Sequence, residues 1–413
     1  LTLIKKKQKI RKKFFFSLTH IFTYEFNSNY NIVIKADKMK ILEYRKIIGR
    51  HEKERRICSV TFIIELSNGY FISGGTDNKL IIYDCHEYIM REITCIKDWT
   101  YSVTERMNYD KRSKNDIRFI CCSNEQLFLF EADSIECKKY YLPFSIPTKC
   151  VQMNNNAFAL VGLDLCSFFP DLFMNNFDKY TIIEKTYRNA IKIDENILAL
   201  TSNKVAVNGE DALIFFDSRK IKIDIRKHRI VHKIENYSFN FNTNGLALMY
   251  CDYKNKNRIL LCACKKYFSY QKNGILLVNP QLNDNHDVND PFYDTGDFEV
   301  YCFCPIFDFD VDYENKIYSK PKNWEFFFVG GFDNNKGEGL IKLYKLIYNI
   351  EAFNVKIEYL QDIIIKKDIN EGFVGFGGAV TCLIQSQYSG IILATCNDGN
   401  VYKFSIPNID YYK

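Results

Sequence analysis

The chain has 413 residues, of which 47% are hydrophobic, and its formal net charge is +6. This apolar content argues against wholesale disorder, and no stretch approaches the ~18 uninterrupted apolar residues that a membrane helix needs. Basic residues concentrate in 5–13 and 220–233. Neither run is interleaved with the aromatic residues and glycines of a surface that binds single strands. We therefore expect a globular protein without a membrane span, and nucleic-acid binding is disfavoured.

Residues 1–38 are rich in Lys, Phe and Asn and have no stable hydrophobic period. The chain begins with Leu, and Met39 follows this segment directly. We expect 1–38 to be a disordered or non-native N-terminal extension and Met39 to be the functional start. Residues 39–413 are then predicted to form one domain, whose first strand-like stretch is 39–47.

The clearest repeated unit covers residues 49–84. Three alternating, strand-like stretches occupy 57–62, 70–75 and 80–84. The turns between them contain Asn, Asp or Gly, which tolerate the backbone angles of tight hairpins. This pattern predicts three consecutive antiparallel strands.

The C-terminal residues 379–404 repeat that pattern, with strand-like stretches at 379–384, 391–396 and 401–404. Two similar units that lie far apart in the sequence indicate a repeat architecture. Five weaker units lie between the two clear ones, at 119–130, 150–169, 190–217, 237–280 and 300–344. The count is therefore seven, and six or eight stay open because the third and fourth units are weak.

The unit 49–84 closely resembles a blade of the WD-repeat family of β-propellers. Its opening Gly-Arg-His at 49–51 stands where the family has Gly-His, and Tyr83-Asp84 stands where it has Trp-Asp. The resemblance is specific in 49–84 and 373–404 and extends in outline over the rest of the predicted domain. It implies an all-β fold, namely a single closed β-propeller of seven four-stranded blades.

The last unit offers only three strands, although a blade needs four. An unpaired outer edge would invite aggregation, so the last blade is expected to be closed by an N-terminal strand, the stretch 39–47. Such N-to-C pairing is typical of the family that the sequence resembles.

The resemblance also implies a buried set of hydrogen bonds within a blade. It joins the opening His, a Ser or Thr of the second strand, the Asp of the tight turn and the aromatic residue of the third strand. These positions are occupied by His51, Ser73, Asp77 and Tyr83 in the first unit and by Thr395 and Asp398 in the last. Buried polar groups need partners, so such a set is expected to hold the turn and the register, with no role in catalysis.

Other polar patterns are better explained by strands than by metal or catalytic sites. The alternating acids at 308–312 lack the Gly and Glu that a calcium loop needs at its sixth and twelfth positions. The Cys-x-Cys pairs that begin at 262 and 302 are closer together than zinc ligands usually are, and the His pair at 228 and 232 has no further ligand nearby. No nucleophile motif or phosphate-binding loop is recognisable. We expect no cofactor, no metal and no catalytic residue.

Fifteen cysteines would suffice for a disulfide framework, but most lie inside apolar, strand-like runs. A free cysteine behaves as a small buried hydrophobic residue, and thiols stay reduced in the cytosol. No convincing secretory signal is present. The sequence therefore predicts a cytoplasmic protein with reduced cysteines.

The resemblance implies a non-catalytic scaffold or adaptor that binds other proteins, with no small-molecule substrate evident. A rigid array of sheets that displays its loops suits this role. The alternative is a propeller enzyme of hydrolase type with its site at the central channel, because fold alone does not decide function. Acidic residues converging from the innermost strands would favour the enzyme. A third interpretation, a subunit of a larger assembly, differs only in the partner.

Overall fold

The structure is a computed structural model, and it describes only part of the chain. The described residues are 22–25, 33–36, 43–54, 56–84, 86–94, 96, 98–106, 118–123, 126–131, 137–141, 147–153, 158–162, 165–169, 181–184, 187–193, 197–202, 211–217, 230–237, 240–252, 257–265, 272–279, 292–306, 311–312, 317–318, 325–349, 354–363, 378–387 and 389–405. Among these residues the regular elements are β-strands, and none is a helix. A membrane-crossing helix is accordingly not found in this part of the chain.

The chain divides into two compact units, Leu1–Glu43 with Ile406–Lys413, and Tyr44–Ser405. In the first unit, the described residues form one antiparallel hairpin of β1 (Phe22–Glu25) and β2 (Val33–Ala36). The rest of the segment 1–38 lies outside the described residues. Its assignment as a disordered or non-native extension, and a functional start at Met39, therefore stay predictions.

The described strands of the second unit form seven four-stranded sheets, numbered here in chain order, and two short hairpins. Consecutive strands within a sheet pair antiparallel, as the alternating pattern of the sequence predicts. Sheets 1 to 3 consist of β6 (Val60–Glu65), β7 (Phe71–Gly75), β8 (Leu80–Tyr83) and β9 (Ile89–Ile93); of β10 (Thr100–Arg106), β11 (Arg118–Ser123), β12 (Gln126–Glu131) and β13 (Cys137–Tyr141); and of β14 (Pro147–Gln152), β15 (Phe158–Gly162), β16 (Leu165–Phe169) and β17 (Thr181–Glu184).

Sheets 4 to 6 also consist of four strands each, and sheet 6 has a short insertion between its first two strands. They consist of β18 (Tyr187–Lys192), β19 (Ile197–Ser202), β20 (Asp211–Asp217) and β21 (Ile230–Tyr237); of β22 (Asn240–Asp252), β23 (Asn257–Lys265), β24 (Asn273–Val278) and β25 (Phe292–Gly296); and of β26 (Phe298–Ile306), β29 (Phe326–Asp333), β30 (Glu338–Asn349) and β31 (Asn354–Ile363). The insertion is the hairpin of β27 (Val311–Asp312) and β28 (Ile317–Tyr318). For the described part of the chain, the expectation of an all-β fold built from repeated antiparallel sheets is confirmed.

Sheet 7 combines strands from distant parts of the sequence. Its C-terminal strands are β32 (Val380–Gln385), β33 (Ile392–Cys396) and β34 (Asn400–Ser405). The fourth strand is β3 (Glu43–Arg50), which lies beside β34. This strand overlaps the stretch 39–47 from which the fourth strand was expected. A two-stranded hairpin of β4 (Glu52–Lys53) and β5 (Arg56–Ile57) connects β3 to sheet 1.

The first strand of six sheets contains the same irregularity, a single residue skipped in the pairing with the second strand. A β-bulge of this kind bends a strand and increases its twist. In sheet 5 the shift is longer. The skipped residues are Thr61, Tyr101, Thr148, Arg188, Tyr301 and Thr381. Their equivalent positions show that the sheets repeat in detail as well as in strand number.

The hydrophobic core lies between neighbouring sheets. Separate apolar clusters pack sheet 7 against sheet 1, sheet 1 against 2, sheet 4 against 5, and sheet 5 against 6. The cluster between sheets 7 and 1 contains Ile48, Phe71, Tyr83, Leu393 and Val401. Burial of each large apolar side chain contributes about 1.5–3 kcal/mol. Residues from both ends of the unit therefore share one core.

The first strands of the sheets are neighbours in a cyclic order. Each contacts the first strand of the next sheet, from β6 through β10, β14, β18, β22 and β26 to β32, and β32 in turn contacts β6. No single sheet closes on itself.

Candidate functional site

The loop between β3 and β6 carries His51 into the interior of the unit. The His51 main-chain N–H donates to the Gly399 carbonyl at 2.8 Å, which attaches the loop to the turn before β34. The His51 carbonyl accepts from the Cys58 N–H at 3.2 Å. With its backbone held on both sides, the His51 ring is fully buried against sheet 1.

The structure brings together the four residues predicted for the first unit. His51 Nδ1 lies 2.9 Å from both carboxylate oxygens of Asp77. His51 Nε2 lies 2.8 Å from Ser73 Oγ, and Ser73 Oγ lies 3.0 Å from Tyr83 Oη. All four side chains are buried. We call this group the first-sheet polar set.

The proton arrangement of the first-sheet polar set follows from what each group can donate. The Asp77 carboxylate only accepts, so His51 Nδ1–H donates to it. In the neutral tautomer, Nε2 then accepts from the Ser73 hydroxyl, which in turn accepts from the Tyr83 phenol. Burial raises the pKa of Tyr83, and the hydrogen bond between Tyr83 and Ser73 offsets part of that rise. Tyr83 therefore remains a donor at neutral pH, in the place where the WD-repeat family has Trp.

The first-sheet polar set occupies space that is free only because two neighbouring residues are glycines. A Cβ at Gly49 would overlap the Tyr83 phenol oxygen. A Cβ at Gly75 would overlap the Ser59 carbonyl and come within 3.3 Å of His51 Nδ1. The glycines at these positions are therefore part of the arrangement, because any larger residue would displace the aromatic ring or the loop.

The two residues predicted for the last unit make different contacts. The Asp398 carboxylate accepts from the Asn400 N–H at 3.0 Å and from the Tyr402 hydroxyl. Thr395 Oγ1 lies 2.8 Å from Thr381 Oγ1 and is fully buried. Thr395 and Asp398 are thus not joined by the described hydrogen bonds.

The spacing of the residues explains this difference. Ser73 precedes Asp77 by four positions, whereas Thr395 precedes Asp398 by three. Because successive residues of a strand point to opposite faces, Ala394 occupies the position equivalent to Ser73. Ala394 offers no hydroxyl, so the last sheet has no counterpart of the Ser–His bond.

The connections between sheets use hydroxyl groups that the sequence analysis did not single out. Thr381 Oγ1 donates to the Val60 carbonyl at 2.5 Å and so joins sheet 7 to sheet 1. Thr61 Oγ1 lies 2.7 Å from the Thr100 carbonyl and joins sheet 1 to sheet 2. Both threonines are bulge residues at equivalent positions. The shared Val-Thr that opens β6 and β32 is the signal that could have identified them.

Carboxylates make a second connection at the other end of the same strands. The Glu105 carboxylate accepts from the Ser67 N–H at 2.7 Å and from the Ser67 hydroxyl. The Glu65 carboxylate accepts from the Ser386 hydroxyl at 2.5 Å and from the Gln387 N–H at 2.6 Å. Glu65 and Glu105 each lie five positions after the first residue of their strand. These bonds to charged acceptors hold sheets 7, 1 and 2 together.

The first-sheet polar set has the hydrogen-bond order of a catalytic triad, because Ser73 contacts His51 and His51 contacts Asp77. A nucleophile must reach its substrate, however, and Ser73 and His51 are fully buried. The Ser73 hydroxyl also has a second partner, Tyr83. The geometry is that of a satisfied internal network, which stabilises the turn between β7 and β8.

No metal-ligand cluster of three or more His, Cys, Asp or Glu side chains occurs in the described part of the chain. The described cysteines form no disulfides. Burial raises the pKa of the Cys302 and Cys304 thiols, which keeps them protonated. Two stretches that the sequence analysis expected to be strands and not metal sites are only partly described: 228–229 and 308–310 lie outside the described residues, whereas 230–232 and 311–312 lie in β21 and β27.

No family model matches the chain, and no curated protein resembles it in sequence.

Proposed function

We propose that residues 44–405 form a seven-bladed β-propeller of the WD-repeat type, and that it acts as a non-catalytic scaffold for other proteins. Each of the seven sheets is then one blade, with its first strand innermost. The cyclic contact of the first strands supports this arrangement. The pairing of β3 with β34 supports closure of the last blade by an N-terminal strand.

The observation that carries the proposal is the first-sheet polar set. The four residues that the WD-repeat resemblance names are linked in one chain of contacts, from Asp77 to His51 at 2.9 Å, from His51 to Ser73 at 2.8 Å and from Ser73 to Tyr83 at 3.0 Å. Such a set rigidifies a blade, and a rigid frame lets surface loops serve for recognition. The scaffold role then follows from the family that the chain resembles.

The test is affinity purification of the tagged chain followed by cross-linking and mass spectrometry. We expect reproducible partners cross-linked to surface loops of the chain. The matched control is a Gly49→Val variant, which is expected to disrupt the polar set and the fold around it. Recovery of the same proteins with the control, or of none with the wild-type chain, would contradict a scaffold role.

A hydrolase remains the second candidate because of the Ser73–His51–Asp77 connectivity. An activity-based fluorophosphonate probe distinguishes the two. The scaffold proposal expects no labelling of the folded chain at Ser73, since that hydroxyl is buried. Labelling that disappears in Ser73→Ala, while the variant stays folded, would establish the enzyme instead.

A further inference from the structure

The strand β31 forms the far edge of sheet 6, which is the edge opposite its first strand. At ten residues, β31 is the longest of the described strands that form the far edges of the seven sheets. It pairs with β30, and no other described strand pairs with it. The main-chain N–H and C=O groups that point away from β30 therefore have no strand partner among the described residues. A long edge of this kind is a template for a further strand.

Residues 354–359 of β31 pair with β30 without interruption. The irregularity of β31 comes after them, where the pairing skips Leu360. Lys356 and Glu358 share one face of the strand and are exposed. Val355 and Ile357 share the other face and pack, partly buried, against the core between sheets 5 and 6. The run 354–359 is therefore a regular strand that the core holds in place on one face only.

The exposed face of this run carries one charge of each sign. Neither Lys356 nor Glu358 has an ion pair or a side-chain hydrogen bond within the described part of the chain. Lys345, the residue of β30 beside Glu358, pairs with Glu325 at 3.8 Å. A lysine on an edge strand ordinarily opposes further pairing. Here an acid follows two positions later on the same face, so a suitably placed second strand can satisfy both charges.

The run is complementary to a second copy of itself in the antiparallel direction. If two copies lie side by side and are centred on Ile357, Lys356 of each copy is opposite Glu358 of the other. The same register places Val355 opposite Tyr359, and a β-branched residue facing an aromatic one is a favourable cross-strand pair. A parallel arrangement in register would instead place like charges opposite each other. The charges therefore favour an antiparallel second copy.

The far edges of four other sheets have features that disfavour such pairing. The pairing of β9 skips Met90, and that of β25 skips Thr295, so both edges have a bulge. In β13 two adjacent lysines are present without an acid. In β21 a lysine precedes a glutamate by two positions, at 233–235, but the pairing with β20 is shifted within this stretch. Natural sheets use bulges and lysines against edge-to-edge association, and the run 354–359 has neither a bulge nor an unmatched lysine.

We propose that the far edge of sheet 6 is a self-association surface, through which two copies of the chain pair antiparallel along residues 354–359. The two copies of sheet 6 then form one continuous sheet. The arrangement has twofold symmetry centred on Ile357, so each contact occurs twice. Each Glu358 lies between Lys345 of its own chain and Lys356 of the second copy. This inference goes beyond the scaffold proposal and does not depend on it.

The test is sedimentation velocity of the purified full chain over a series of concentrations. We expect a monomer–dimer equilibrium. Lys356→Glu and Glu358→Lys should each raise the Kd of the dimer about tenfold or more, because each places like charges opposite each other twice. The double variant that exchanges both charges should restore the dimer, because opposite charges again face each other. Circular dichroism checks that each variant is folded.

The matched control is Lys139→Glu, which makes the same change of charge at an exposed residue of β13, on the far edge of sheet 2. It should leave the Kd unchanged. A chain that stays monomeric up to about 100 μM overturns the proposal. A dimer that Lys356→Glu weakens no more than the control does so too, because the dimer then uses another surface. Failure of the double variant to recover would contradict the antiparallel register.

Hydrogen exchange locates the contact in the backbone. Amides within 354–359 should exchange more slowly at high than at low concentration of the chain, and Lys356→Glu should abolish this difference. Protection that arises only when another protein is added would assign the edge to that protein and overturn the second copy. A dimer without any recovered partner leaves this inference standing while the scaffold proposal fails, and recovered partners with a monomeric chain give the reverse.

Discussion

The Glu87 carboxylate binds the Lys403 ammonium group, although 316 positions separate the two residues. Glu87 lies in the turn after β8, and Lys403 lies in β34. The Glu87 side chain is almost completely buried and that of Lys403 is mostly buried. Because Lys46 of β3 also approaches Glu87, strands from opposite ends of the unit meet at one carboxylate. This pairing joins sheet 7 to sheet 1.

Lys403→Met should destabilise the protein, because it leaves the buried Glu87 carboxylate with only the more distant Lys46. We expect a loss of about 1–3 kcal/mol, since a buried acceptor loses its nearer hydrogen-bond donor. Chemical denaturation of wild type and variant measures it. The control is Lys345→Met, whose ion pair with Glu325 is more exposed and should contribute about 0–1 kcal/mol. Equal effects of the two substitutions would contradict the importance of this pair.

Asp77→Ala should lower the free energy of unfolding by about 1–3 kcal/mol, because the buried His51 N–H loses its acceptor. Asp77→Asn should cost less, since the amide oxygen can still accept. Asp398→Ala is the comparison, because no histidine among the described residues bonds to Asp398 and the Tyr402 hydroxyl keeps a contact with Asn400 at 3.2 Å. An unchanged melting midpoint in Asp77→Ala would count against the structural role of the polar set.

Gly49→Ala should destabilise by about 1–3 kcal/mol, because the added methyl group overlaps the Tyr83 ring. Tyr83→Phe in the same chain should recover part of this loss by removing the nearest atom, the phenol oxygen. Gly337→Ala is the control: a Cβ there meets nothing within 4 Å, and only its φ of 69° opposes the substitution. Denaturation measures the change in the free energy of unfolding for each substitution and for the double variant. If the two single changes simply add up in the double variant, the overlap is contradicted.

Stability should fall as the pH rises above the ordinary tyrosine pKa of 10.0. Burial raises the pKa of both Tyr83 and Tyr402, and Asp398 raises that of Tyr402 further. Above pH 10 the unfolded chain therefore loses protons that the folded chain retains. The stability that each such tyrosine contributes is fully present below its pKa in the unfolded chain. Above that pKa, and up to the pKa in the folded chain, the free energy of unfolding falls by about 1.4 kcal/mol per pH unit for each tyrosine.

Denaturation at a series of alkaline pH values measures that slope. Tyr402→Phe should make this slope shallower by the share of one tyrosine, because the variant no longer carries that phenol. A slope that Tyr402→Phe does not alter would be inconsistent with this account.

Much of the architecture could be predicted from local patterns. Alternating residues and turn-forming Asn, Asp and Gly in 49–84 predict β6, β7 and β8 because a strand has a period of two. The repeat at 379–404 predicts β32, β33 and β34 for the same reason. The position of Thr395 could not be judged so reliably, since a shift of one residue moves a side chain to the other face.

By itself, the sequence determined that the chain is β-rich and repetitive, and its resemblance to the WD-repeat family implied that His51, Ser73, Asp77 and Tyr83 belong together. Only the tertiary structure decided which sheets meet and through which side chains. Glu87 and Lys403 carry no local signal of each other, because a strand pattern depends on neighbours in sequence. Their pairing depends instead on how β34 and the turn after β8 are brought together in space, and the buried carboxylate then takes the cation that is within reach.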